Sequence, residues 1–134
     1  IEYLKALQSA EGSQKEYLSF NFCLRLYEHN KDLNLSLELL DQLIENNGTD
    51  FEYRLLKGDI FFLKQDYKNA LELYKAILNI DSELEQSLIN EKVGDAYAML
   101  NNIKEAMVYW RRAKESGANS EVLQKKITNE AYFE

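Results

Sequence analysis

The chain of 134 residues has no proline, five glycines, one cysteine and one histidine. The lone Cys23 excludes an internal disulfide, and Cys23 with His29 cannot furnish a structural zinc site. So little proline and glycine removes collagen-like and low-complexity readings. It also leaves few places where the backbone itself would break a helix. No apolar run approaches the roughly 20 residues that a helical bilayer crossing needs. Positive charge is scarce as well: 16 Lys and Arg against 23 Asp and Glu leave a formal charge of -7. A field of that sign repels phosphate and argues against general nucleic-acid binding. Apolar material is not scarce, at 46% of residues with 12% aromatic, so the chain can build a core.

What is present is helix-forming. Strand-like alternation bounded by turn residues is missing, and Leu, Glu, Lys, Ala and Asn dominate. Ser13 with Glu16, Thr49 with Glu52, Ser82 with Glu85 and Asn102 with Glu105 have the spacing of capping boxes. In each, the first side chain accepts from a free backbone N–H and the acid reaches back. Asp32, Asp66 and Ser120 are further N-caps. Gly12, Gly48, Gly117 and the asparagines at 30, 46, 47 and 101 are stops. These signals predict helices over 2–10, 14–29, 33–46, 50–64, 67–80, 83–100, 103–116 and 120–129. Very short loops between them require antiparallel pairs.

The chain also repeats itself. A shift of 36 residues places Gly58-Asp59 on Gly94-Asp95, Phe61 on Tyr97, Ala70 on Ala106 and Tyr74 on Trp110. A shift of 34 places Tyr27 on Phe61, Asp32 on Asp66, Ser36 on Ala70 and Leu43 on Ile77. A glycine inside a helix costs about 1 kcal/mol relative to alanine. Gly58 and Gly94 take that cost at equivalent places, which predicts a close approach of two helix backbones there. Trp110 and Tyr74 are expected in the core.

The segment from Lys57-Gly58-Asp59-Ile60-Phe61 through Ala70 and Tyr74 to Ser82 resembles a tetratricopeptide repeat. The segment from Val93-Gly94-Asp95-Ala96-Tyr97 through Glu105-Ala106, Trp110 and Ala113 resembles a second, and residues 17–50 a divergent first copy. Leu24 stands where the family has a small residue, so the helices of the first pair are expected farther apart. The resemblance implies an all-α, right-handed superhelical stack of helix pairs. Residues 1–12 end an upstream repeat, 13–48, 49–81 and 82–118 are three repeats, and 119–134 form a capping helix and tail. Val122, Leu123 and Ile127 are expected to cover the last repeat. Tyr3-Leu4-Lys5-Ala6-Leu7 is similar to the end of a second helix. The chain is therefore expected to be a piece of a longer protein, sticky at its amino-terminal end and prone to self-association there. The tail Leu123-Gln124-Lys125-Lys126-Ile127 is similar to those that follow the last repeat in bacterial members. The compartment stays open between cytoplasm and cell envelope.

No constellation for catalysis, cofactor or metal emerges. His29 at a helix end has no convergent nucleophile or acid, and Cys23 between Phe22 and Leu24 is expected to be buried. Trp110-Arg111-Arg112-Ala113-Lys114 joins cations to an aromatic, but Trp110 is expected in the core rather than stacking on a base. The resemblance implies a non-enzymatic protein-interaction module whose first helices line a concave groove. Carried over, the lining is Asn21, Phe22, Arg25 and Glu28, then Glu52, Leu55, Leu56, Asp59 and Phe62, then Leu88, Glu91, Lys92, Asp95, Ala98 and Met99. Leu55 and Asp59 break the Lys, Arg and Asn set with which family members clamp a peptide carboxylate. The expected partner is instead a segment with an apolar anchor and basic flanks. The alternatives are a secretion chaperone of the same repeat type and an accessory domain of an enzyme using Asp59 and Asp95.

Overall fold

The computed structural model describes residues 12–46, 51–79 and 86–132. Seven helices are present among them: α1 (Gly12–Glu28), α2 (Leu33–Asn46), α3 (Phe51–Leu63), α4 (Tyr67–Leu78), α5 (Gln86–Met99), α6 (Ile103–Glu115) and α7 (Glu121–Asn129). The expected helix 2–10 and the caps Thr49 and Ser82 lie outside the described residues. The chain falls into two compact units, one up to Ile60 and one from Phe61.

The helix starts are set locally. Oδ1 of Asp32 accepts from the Leu35 N–H at 3.2 Å, Oδ1 of Asp66 from Asn69 at 3.4 Å, Oδ1 of Asn102 from Glu105 at 3.2 Å, and Oγ of Ser120 from Leu123 at 3.0 Å. Each satisfies one of the N–H groups a first turn leaves free. One capping detail differs from expectation. The Asn102 N–H is not met by Glu105; it donates to the Tyr97 carbonyl at 2.9 Å. The connection is so short that the preceding helix uses this donor to close its own end.

That closure recurs. The N–H of Lys31 donates to Leu26 O at 2.9 Å, that of Asp66 to Phe61 O at 2.8 Å, and that of Ala118 to Ala113 O at 3.0 Å. Each follows a residue with positive φ: Asn30 at 50°, Gln65 at 65° and Gly117 at 112°, with Asn101 at 64° before Asn102. This is the six-to-one bond of a Schellman end. In the second and third turns the next residue is already the N-cap. In the first turn Lys31 intervenes before Asp32. This extra residue moves the first helix by one position, so Cys23, not Leu24, corresponds to Gly58 and Gly94.

In the unit up to Ile60, α1 packs on α2. Cys23 and Ser36 are both fully buried. Cys23 Sγ donates to Ser36 O at 3.6 Å and Ser36 Oγ donates to Cys23 O at 3.5 Å. Around them Leu40, Leu43, Tyr53, Leu56 and Ile60 form the core, with Phe20, Leu24 and Tyr27 against it. Lys57 on α3 reaches Asp41 on α2 at 2.6 Å.

In the unit from Phe61, helices adjacent in sequence pack against one another from α4 to α7. Trp110, Ala106, Ala113, Met107, Ala98 and Leu123 form one buried cluster, and Tyr74, Ile77, Ile89 and Val93 are buried as well. Gly94 faces the Trp110 indole, which a Cβ there would overlap. The close approach expected at this glycine is thus to a side chain rather than to another backbone. The volume of the ring requires the absence of one carbon.

Candidate functional site

On the unit up to Ile60, Arg25 and Glu52 are exposed, and Asn21, Phe22, Leu55 and Asp59 are half-buried. The Asn21 amide donates to Tyr17 O at 2.9 Å, within its own helix. Leu56 departs from the expected lining: it is 4% exposed and belongs to the core with Cys23 and Leu40. One residue along a helix is a turn of about 100°, which separates the half-buried Leu55 from the inward Leu56. The added residue in the first turn has a second consequence. The α1 positions equivalent to Leu55, Asp59 and Phe62 are Phe20, Leu24 and Tyr27, one before those the repeat implied. Burial, and then the nearby Asp59 charge, push the Tyr27 phenol above its ordinary range.

On the unit from Phe61, Leu88 is 41% exposed, while Phe62, Lys92 and Met99 are half-buried and Ala98 is buried. Lys92 Nζ lies 5.8 Å from the Tyr74 ring centre, a cation–π distance. Phe62 meets Tyr67 edge to face at 5.0 Å and Tyr132 at 5.9 Å.

Glu91 and Asp95 are one turn apart on α5, and both are paired. The Lys126 ammonium sits 2.7 Å from Glu91 Oε2 and 2.8 Å from Asp95 Oδ1. The Trp110 indole N–H donates to the same Asp95 oxygen at 3.0 Å. Asp95 is therefore not a solvated groove charge; its side chain is only 15% exposed. Burial raises its carboxyl above the usual range, although Lys126 and the Trp110 donor pull it down. Lys126 itself is 3% exposed. A lysine this buried must be paired, because an isolated ammonium in such surroundings is very costly.

Lys126 and Tyr132 are the residues that the sequence did not bring into the site. A signal exists for the lysine: it lies three residues after Leu123 and beside Ile127, on the apolar stripe of α7. Trp110 is wholly buried, so the basic run it belongs to presents no indole for stacking. Arg112 instead lies over the Tyr109 ring at 4.9 Å, and Tyr109 stacks on Tyr97 at 5.5 Å. Lys75 donates to the Tyr97 hydroxyl at 3.2 Å, and that bond raises its pKa above the ordinary value. His29 is exposed just after α1. No described helix is long and apolar enough to cross a membrane.

No protein-family model and no curated protein sequence matches the chain significantly. Solved structures do match. The first tetratricopeptide repeat domain of Spaghetti (RPAP3), bound to the HSP90 peptide SRMEEVD, aligns with TM-score 0.77 at 11% identity, over 89% of this chain and 92% of that one. The N-terminal domain of stress-induced protein-1 (STI-1) from C. elegans aligns with TM-score 0.72 at 14% identity, over 90% of this chain and 98% of that one. At these identities the likeness concerns the fold: an all-α helical solenoid of the tetratricopeptide-repeat kind.

Proposed function

We propose that this protein is a non-enzymatic protein-interaction module that holds a segment of a protein partner on the first helices of its pairs. The fold supports a role in binding, since one structural neighbour holds a peptide. The observation that carries the reading further is charge. The neighbour's peptide, SRMEEVD, ends in Glu-Glu-Val-Asp. On α3 the expected lining carries Glu52 and Asp59, so an acidic peptide meets like charge there, while Glu91 and Asp95 on α5 are already paired with Lys126. The ligand this favours has an apolar anchor with flanking Lys or Arg. In the unit from Phe61, Phe62, Leu88 and Met99 supply the apolar contacts and most of the affinity, because desolvated anchors dominate interfaces. The acids steer and select, and salt weakens their effect. Asp95, the carboxylate among the described residues whose pKa is raised, already accepts from Lys126 and Trp110, which favours a structural role over general-acid chemistry.

The test is an array of peptides graded in charge and in apolar content, probed with the wild type and two variants. Basic peptides with one large apolar residue are expected to bind, and higher salt to slow their association. Glu52→Lys combined with Asp59→Lys should weaken them, and Leu88→Ala should weaken those that use the apolar contact. A preference for acidic peptides, or equal binding to wild type and both variants, overturns the reading.

A further inference from the structure

The carboxyl-terminal segment already carries the chemistry proposed for a partner, and it is seated on the acidic residues of α5. Lys126 places one ammonium on both Glu91 and Asp95. Beyond it the chain turns back through Glu130, a non-glycine residue in the left-handed region at φ 51°, with the Ala131 N–H donating to Lys126 O at 3.2 Å. The turn brings the Tyr132 ring to 5.2 Å from the Lys126 ammonium and 5.9 Å from the Phe62 ring. A cation thus sits on two acids while an aromatic ring sits on an apolar residue of the same unit. The turn through Glu130 is the same six-to-one closure that ends the earlier helices. Leu123 and Ile127 anchor the same segment in the Trp110 cluster.

We propose that residues 126–132 are an intramolecular occupant of the α5 acidic face, and that a partner segment bearing Lys or Arg and an aromatic residue binds there by displacing them. This deepens the proposed function and rests on it for the partner, but not for the intramolecular contact. A face occupied by its own chain binds an outside ligand only in the fraction of molecules where the segment has left, so its apparent affinity falls by that fraction. Weakening the segment should raise affinity without adding any contact to the ligand.

The experiment uses the full chain and a synthetic peptide of residues 121–132. Tyr132→Ala removes the aromatic contact and leaves Lys126 paired, so the fold is expected to survive. The peptide should bind Tyr132→Ala about tenfold or more tighter than wild type. A peptide carrying K126A and Y132A should bind neither protein. Hydrogen exchange should show α7 amides opening in the variant while those of α5 and α6 remain protected, and the added peptide should protect α5 further. Lys126→Arg, which keeps the charge, guards against a misfolded variant: it should retain a protected α7 and the low wild-type affinity.

Equal affinity of the peptide for wild type and Tyr132→Ala overturns the proposal, as does an unchanged α7 in the variant. A wild type that sediments as a dimer dissociated by the peptide assigns the segment to a second copy and overturns the intramolecular occupant. Array ligands whose affinity ignores Tyr132→Ala leave the interaction function standing without this occupant. Self-peptide binding with no array ligand leaves the occupant standing without that function.

Discussion

Among the described residues, close packing can turn on a single carbon. Trp110 fills the space that Gly94 leaves and spends its indole N–H on Asp95. Truncating a buried tryptophan costs about 3–5 kcal/mol. Trp110→Ala should therefore remove much of a stability that in a small domain is roughly 5–15 kcal/mol. Urea denaturation measures it. Gly94→Ala is the sharper test, because alanine is the better helix former by about 1 kcal/mol. Overpacking costs typically 1–3 kcal/mol, so the substitution should still destabilise. A gain in melting temperature would show that the indole can move away. Cys23 is inert for a related reason. Burial pushes its thiol up to about 12, and a thiol reacts as the thiolate. A thiol reagent should label it only at the rate of unfolding.

At the scale of elements, the turns do most to set the pairing of helices. Gln65 adopts a left-handed conformation at φ 65° where the repeat would tolerate glycine. Such a residue costs about 1–2 kcal/mol when it carries a Cβ. Gln65→Gly should raise the melting temperature, the greater backbone freedom of the unfolded chain offsetting part of the gain. The last helix depends on a different kind of contact. Lys126 is the cationic partner of both Glu91 and Asp95. Removing one member of a buried pair costs about 3–5 kcal/mol. Lys126→Met should loosen α7 first, seen as faster hydrogen exchange at residues 122–129 than in α6.

At the scale of the whole molecule, the buried carboxylate makes stability depend on pH in an unusual direction. Asp95 is raised above its reference of 3.8 by burial. Between that reference and the raised value the folded chain binds the proton more readily than the unfolded chain. The contribution of Asp95 is thus fully present below the ordinary carboxylate range and is lost as pH rises through the raised value. Glu91, Lys126 and the Tyr132 ring face the same place, so the comparison must keep them. The stability of wild type minus that of Asp95→Asn should increase as pH falls from 7 towards 4, in paired urea titrations. A difference that shrinks on acidification would mean that the ion pair with Lys126 outweighs burial.

Local chemistry made most of the helices legible in the sequence. Asp66, Asn102 and Ser120 cap α4, α6 and α7 as their spacing implied, because an N-cap needs only a backbone N–H three residues away. The burial of Tyr74 and Trp110 was legible because repetition and amphipathic spacing both act along the chain. Three features were decided only by tertiary structure. Cys23 took the place expected of Leu24 because the first turn holds Lys31 between its left-handed residue and its cap. Leu56 went inward and Leu55 did not, since periodicity marks a stripe without fixing its edges. Lys126 met Glu91 across 35 positions of sequence. Charge pairing at that separation is set by which helix faces come together, and one sequence of residues carries no local trace of it.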